Sequence, residues 1–134
     1  MEIDSRDALT MTAVVAVMMA SCGRANHDQR VGSELTAMLA MSKDSGRGRE
    51  IYFGRAMCVT CHTRTGDGLG PNLSNIREAS RDRVPGWSDW EYVVASIKWP
   101  DLHLAPGRSV AMYNTVELSN QDIVDLAAYL MSMK

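Results

Sequence analysis

Cys58-Val59-Thr60-Cys61-His62 is the stretch around which the rest of this 134-residue chain is organised. Its two thiols stand three positions apart, so a single helical turn can present both to one group, and an imidazole follows directly. A Cys-x-x-Cys pair can be half of a zinc site, but that site needs a second ligand pair at similar spacing. The chain offers for this only Cys22 and the isolated His27 and His103. A thiol redox pair would be expected within a βαβ pattern, and none surrounds this run.

The same spacing is the attachment signature of a c-type haem. Each thiol can add to one vinyl group of the porphyrin, and His62 then lies beneath the ring with a nitrogen available to the iron. On these residues the chain resembles the cytochrome c family. The resemblance implies one covalent haem c, held by Cys58 and Cys61, with His62 as an iron ligand.

A glycine-rich loop after the signature ends in Gly70-Pro71-Asn72-Leu73, which is similar to the family's segment on the proximal side of the haem. The resemblance implies that the Pro71 carbonyl accepts a hydrogen bond from the second ring nitrogen of His62. Such a bond fixes the imidazole tautomer and makes the ligand more electron-donating. The alternative is an ordinary turn, since Gly and Pro punctuate turns in any protein.

The distal iron ligand must come from much further along the chain. Met112, followed by a Leu118-Ser119 pair and an amphipathic helix, resembles the axial-methionine segment of cytochromes c, although Tyr113 stands where most relatives have proline. Met112 is therefore the predicted sixth ligand, in a His/Met site. His103, giving a bis-histidine site, and an open iron position are the alternatives.

Three helices are predicted around the signature. Ile51, Tyr52, Phe53 and Ala56 form an apolar stripe before it, where Gly54 could allow a close helix crossing, and residues 44–48 are interpreted as loop. A Ser88–Glu91 capping box begins a middle helix that ends at Trp99-Pro100. Its tryptophans are expected to pack in the core or against the haem: Trp87, Trp90 and Trp99.

Ser119 is the predicted N-cap of the last helix, which covers residues 120–133. Its apolar stripe recurs at helical spacing: Ile123, Leu126, Ala127, Leu130 and Met133. The resemblance to cytochromes c implies that this helix crosses the one before the signature. The predicted helices indicate an all-α fold class, and the resemblance implies a cytochrome c fold with three to five helices around one covalently attached haem.

The N-terminus has the pattern of an export segment. Residues 8–20 form a nearly uncharged run, too short to span a bilayer and similar to a signal-peptide core. Met19-Ala20-Ser21-Cys22 resembles a bacterial lipoprotein box, although the acidic start at Glu2 and Asp4 is atypical. Lipidation of Cys22 would hold the protein at the periplasmic side of a bacterial membrane, and without it the exported protein would be soluble in the periplasm. A buried helix with a chance cysteine is the alternative to export.

The chain is thus divided into a signal peptide (1–21), a spacer (22–45) and a haem domain (46–134), with room for one ordinary domain. The spacer could be a flexible tether or a segment wrapped on the domain. With a formal net charge of −2 there is no basic excess, which argues against a nucleic-acid partner.

These observations together predict a non-enzymatic, single-electron carrier that exchanges electrons with redox partner proteins or a membrane complex. The alternative is a fixed monohaem subunit of a larger respiratory, photosynthetic or dehydrogenase complex.

Overall fold

In a computed structural model, the described residues are 29–107, 112 and 116–133, and within them all regular structure is helical. Helix α1 covers residues 29–39. It is followed by α2 (Ser45–Phe53), a 3-10 turn (Cys58–Thr60), α3 (Ile76–Ala79), α4 (Asp89–Lys98) and α5 (Asn120–Ser132). The all-α fold class predicted from the sequence is confirmed.

Helices α4 and α5 begin at the residues that their sequences predict. The Ser88 hydroxyl accepts the backbone N–H of Glu91, and the Glu91 carboxylate accepts the N–H of Ser88. Ser119 and Asp122 form the same reciprocal pair at the start of α5. Each box satisfies two N–H groups that the first helical turn leaves without a partner. Helix α4 ends at Trp99, directly before Pro100, as predicted.

Helix α2 begins earlier than the sequence suggested, so the interpretation of residues 44–48 as loop is wrong. Asp44 is its N-cap, and the Asp44 carboxylate accepts the backbone N–H of Arg47. The backbone N–H of Asp44 in turn donates to the Asp125 carboxylate on α5, at 2.9 Å. These contacts outweigh the poor helix propensity of two glycines, each of which costs about 1 kcal/mol relative to alanine.

The most extensive helix contact joins α2 to α5, and Gly48 lies directly against the α5 backbone there. A Cβ atom on Gly48 would stand 2.5 Å from the Asp125 carbonyl carbon and closer still to its oxygen, so only glycine fits there. The sequence analysis assigned this role to Gly54, which is wrong. Gly54 is the C-cap of α2, and a Cβ there would meet the carbonyl of Glu50 in the same helix.

A group of charged side chains brackets this crossing. Arg47 on α2 forms ion pairs with both Asp122 and Asp125 on α5, and Arg55 lies 2.5 Å from the other oxygen of Asp122. The two carboxylates are almost fully buried, with side-chain exposures of 6% and 2%, whereas the guanidinium groups remain half-exposed. Buried charges are stable only when such partners and hydrogen bonds are present.

Helix α5 forms the centre of the core. The predicted stripe is buried at Ile123, Leu126, Ala127 and Leu130, while Met133 is partly buried beyond the helix end. Val124, Ala128 and Met131 are buried as well, so most of the helix surface is covered by neighbouring elements. This agrees with the rule that a helix apolar on most faces lies inside a domain.

The spacer contributes to this core. The backbone from Leu35 onward belongs to the same unit as the haem domain, and the side chains of Leu35 and Met38 on α1 are buried in its core. The core therefore includes side chains from α1, while the division of the chain into signal peptide, spacer and haem domain stays a prediction. The predicted export segment and Cys22 lie outside the described residues. No helix in the described part of the chain is long and apolar enough to cross a bilayer.

Replacing Gly48 by Ala should lower the free energy of unfolding by about 2 kcal/mol or more, because the new methyl group would push α5 away from α2. Denaturant unfolding of the haem-loaded protein measures this. Gly46→Ala in the same helix is the matched control. There the added Cβ would approach only a side-chain oxygen of Asp44, at 3.2 Å, so the change should stay within about 1 kcal/mol.

The carboxylates at the crossing should make stability depend on acidity. Burial by itself raises the pKa of Asp122, but hydrogen bonds from Arg55 and Ser119 outweigh it and hold this pKa well below its ordinary value. Burial likewise raises the pKa of Asp125. Hydrogen bonds from the Asp44 backbone N–H and from Arg47 lower it by more, so the pKa of Asp125 also lies below its ordinary value. A carboxyl with a lower pKa in the folded chain stabilises the fold above its unfolded pKa and loses that contribution as the pH falls.

Stability should therefore decline as the pH falls below about 4, and Asp122→Asn should make that decline less steep. This variant should also be about 3 kcal/mol less stable at pH 7, because its arginine partners lose a buried carboxylate. Chemical unfolding between pH 7 and pH 3 tests both. Asp101 is an exposed carboxylate in the turn after α4, and Asp101→Asn is the control. In this variant the free energy of unfolding should depend on pH as steeply as in the wild type. Equal slopes in all three proteins would contradict the prediction.

Candidate haem-binding site

The signature forms one tight turn between α2 and the following loop. Met57 begins it in the left-handed region, with φ of 48°, and its carbonyl accepts both the backbone N–H and the hydroxyl of Thr60. The N–H of His62 donates to the Cys58 carbonyl at 2.9 Å. Cys58 and Cys61 therefore lie at the two ends of one turn, and His62 follows Cys61 directly.

Both cysteines are free and partly buried, and they form no disulfide with each other. Burial raises the pKa of the Cys58 thiol, so that in the haem-free chain it is protonated at neutral pH. A reactive redox cysteine needs the opposite shift, because the thiolate is the nucleophile. In the described part of the chain no three His, Cys, Asp or Glu side chains cluster in a way that could hold a metal ion. The raised pKa of Cys58 therefore disfavours the thiol-redox alternative.

The His62 imidazole is oriented by the backbone of the next loop. Its Nδ1 atom lies 2.8 Å from the carbonyl oxygen of Pro71, the pair that the family resemblance brings together. A carbonyl can only accept, so Nδ1 carries the proton of this bond. The lone pair of Nε2 is then left for a metal.

Two glycines let that loop approach the signature. The N–H of Gly70 donates to the Cys61 carbonyl at 2.9 Å, and a Cβ on Gly70 would stand 2.5 Å from Nδ1 of His62. A Cβ on Gly68 would stand 2.9 Å from the Cys61 carbonyl carbon. The sequence analysis recognised a glycine-rich loop but did not identify which glycines the imidazole requires.

Side-chain hydrogen bonds hold the rest of the loop. Asp67 accepts from the hydroxyls of Thr63 and Thr65 at 2.6 and 2.5 Å, and these two bonds lower the pKa of its carboxyl. Asn72 donates to the Arg64 carbonyl at 2.6 Å, closing the loop around Pro71. The position of the Pro71 carbonyl is therefore fixed locally.

Tyr52 is a site residue that sequence reasoning missed. Its apolar spacing marked it only as a core position, and it is buried on α2. Its hydroxyl, however, donates to the backbone carbonyl of His62 at 3.0 Å, and its ring packs against Phe53 and Tyr129. Burial raises the pKa of Tyr52, so the hydroxyl stays protonated and remains a donor. The hydroxyl of a buried tyrosine usually has a hydrogen-bond partner, so a tyrosine in the apolar stripe next to the signature was the available signal in the sequence.

The predicted distal side is described only in part. Met112 is 36% exposed, and residues 108–111 and 113–115 on either side lie outside the described residues. His103 packs edge-on against Trp87, with ring centroids 5.0 Å apart. The three tryptophans pack, partly buried, on the hydrophobic core. The assignment of Met112 as iron ligand stays a prediction.

The residues present fit a covalent haem. Two thiols on one turn, neither in a disulfide, match the two vinyl groups of a haem. In the adjacent imidazole of His62, Nδ1 is occupied by the hydrogen bond to Pro71 and Nε2 is available to the iron. The glycine at position 70 leaves the space that this imidazole orientation requires.

A comparison with protein-family models matches residues 45–134, two-thirds of the chain, to the family described as cytochrome c. This chain belongs to the cytochrome c family. Such a cytochrome carries a covalent c-type haem with its iron, and one haem suits a domain of this size. The protein is accordingly a haem-binding electron carrier. Neither the curated proteins nor the solved structures contained a match to the chain.

Gly70→Ala should disturb the imidazole, since the added methyl group would overlap the ring of His62. We expect a changed ferric absorption spectrum and lower haem incorporation, together with a loss of about 2 kcal/mol in stability. The matched control is the neighbouring Leu69→Ala, whose side chain is 86% exposed and which should leave the spectrum unchanged. A wild-type spectrum in Gly70→Ala would show that the close approach does not orient His62.

Proposed function

We propose that this cytochrome carries single electrons through one haem c that is bound to Cys58 and Cys61 and ligated by His62 and Met112. The observation that carries the proposal is the contact between His62 Nδ1 and the Pro71 carbonyl within the family-matched region. It leaves one imidazole nitrogen available in a fixed direction, beside two free thiols.

Bound haem c supplies an iron that alternates between the ferric and ferrous states. The residues of the chain determine how easily it does so. Pro71 accepts the Nδ1 proton and makes His62 a stronger donor. A Met112 thioether on the other face would favour the ferrous state and raise the reduction potential.

The environment of His62 is suited to electron transfer with little rearrangement. The imidazole is held by Pro71, the His62 carbonyl by Tyr52, and the turn by hydrogen bonds within residues 57–62. With Met112 in place no coordination position would remain for oxygen, peroxide or a substrate. The proposed role is therefore electron transfer and not catalysis.

We further propose that the cytochrome works at the periplasmic face of a bacterial membrane. The support is the uncharged run at residues 8–20 and the small residues before Cys22, which together resemble a lipoprotein signal. A lipid on Cys22 would retain the haem domain near membrane-bound redox complexes. Contacts with such partners are expected to be small and transient.

Met112→Ala tests the ligand assignment directly. Removing the thioether should open the distal position, so that the reduced protein binds carbon monoxide at neutral pH, and the ferric absorption band that reports iron–sulfur bonding should disappear. His103→Ala is the control and should bind no carbon monoxide. The reverse pattern would show that His103 is the ligand.

A further inference from the structure

A surface pocket of about 390 Å³ lies on the chain between α2, the signature turn and the end of α5. Its walls include Tyr52 and Phe53 from α2, Val59 from the signature, and Tyr129 and Met133 from the C-terminal end. Cys58, Cys61 and His62 are not among the lining residues, so the pocket is formed by side chains other than the predicted haem-binding ones. Its volume falls within the range of small-molecule sites.

The pocket combines an apolar interior with two cationic side chains. Three aromatic rings, a valine and a methionine supply the apolar walls, and the charged lining residues are Arg49 and Arg64. The guanidinium of Arg49 lies over the Phe53 ring, 5.1 Å from its centroid, which restricts where the charge can sit.

Neither arginine makes an ion pair with a carboxylate in the described part of the chain, whereas Arg47 and Arg55 nearby are both paired with Asp122. No carboxylate of the described residues therefore neutralises these two guanidinium groups by direct pairing. A guanidinium next to aromatic rings is well suited to bind a carboxylate whose apolar body stacks on those rings.

We propose that this pocket binds a small apolar anion, that is, a molecule with an aromatic or aliphatic body and one or two carboxylates. The body would pack on the rings of Phe53 and Tyr129, and the carboxylates would pair with Arg49 and Arg64. This goes beyond the electron-carrier role, because it assigns the cytochrome a ligand site separate from the haem.

The pocket is physically connected to the haem-binding turn through two residues. Tyr52 lines it and also donates a hydrogen bond to the His62 carbonyl, and Val59 lies between the two signature cysteines. A bound anion would therefore contact the segment that positions the proximal histidine, which gives occupancy a route to the haem environment.

The test uses the reduced, haem-loaded protein and benzene-1,3-dicarboxylate as the probe, with benzene-1,3-dicarboxamide as its uncharged counterpart. Backbone amide chemical shifts are followed during titration. The dicarboxylate should give saturable shifts centred on Val59, Tyr129 and Met133. The dicarboxamide should bind at least about fivefold more weakly than the dicarboxylate. Equal binding of both probes, or shifts that do not saturate, would overturn the proposal.

The double variant Arg49→Gln/Arg64→Gln should weaken dicarboxylate binding by about fivefold or more, since two exposed ion pairs are removed. Arg81→Gln/Arg83→Gln removes the same charge from the connection after α3 and should bind as wild type does. The haem absorption spectrum and the thermal midpoint verify that each variant is folded. Unchanged binding in the first variant, or an equal loss in both, would refute a role for the pocket arginines.

Discussion

The close approach of α2 and α5 at Gly48 is the constraint on which the rest of the structure depends. The missing side chain brings the backbone of one helix against the Asp125 carbonyl of the other. Tyr52 lies one turn further along α2 and is thereby buried where its hydroxyl meets the His62 carbonyl. The helix crossing thus positions the signature turn, and through it the imidazole.

Ion pairs and hydrogen bonds also fix the position of α2 along α5. Apolar contact between two helices is largely indifferent to small shifts along their axes, but hydrogen bonds and ion pairs require particular distances and angles. Arg47 engages Asp122 and Asp125 together, and the backbone of Asp44 occupies the remaining oxygen of Asp125. Since an unpaired buried carboxylate would be costly, this network favours one register of α2 on α5.

The haem-binding turn illustrates how a small domain orients a metal ligand without a rigid sheet. His62 is restrained through its ring by Pro71, through its carbonyl by Tyr52, and through the space that Gly70 leaves open. Two of these restraints come from the loop after the signature, at Gly70 and Pro71, and the third comes from Tyr52 on α2. The proposed anion pocket is built on the outer side of the same arrangement, because α2, the turn and the end of α5 meet there as well.

The sequence by itself determined the local features: the Cys58–His62 signature, the capping box at Ser88, the N-cap at Ser119, the apolar stripe of α5 and the all-α class. These patterns depend on neighbours within a few residues, so they can be recognised without knowing the fold. The family resemblance added the pairing of His62 with Pro71.

Only the tertiary structure decided which glycine permits the crossing, where α2 begins, and what the hydroxyl of Tyr52 binds. Gly48 and Gly54 both precede the signature, and nothing in the sequence distinguishes their roles. Gly48 is the one that cannot be replaced, because α5 passes directly against it. Asp44 caps α2 through its own carboxylate, and its N–H is in turn bound by Asp125, 81 positions away. Such contacts join residues that are distant in the chain, and no local pattern specifies them.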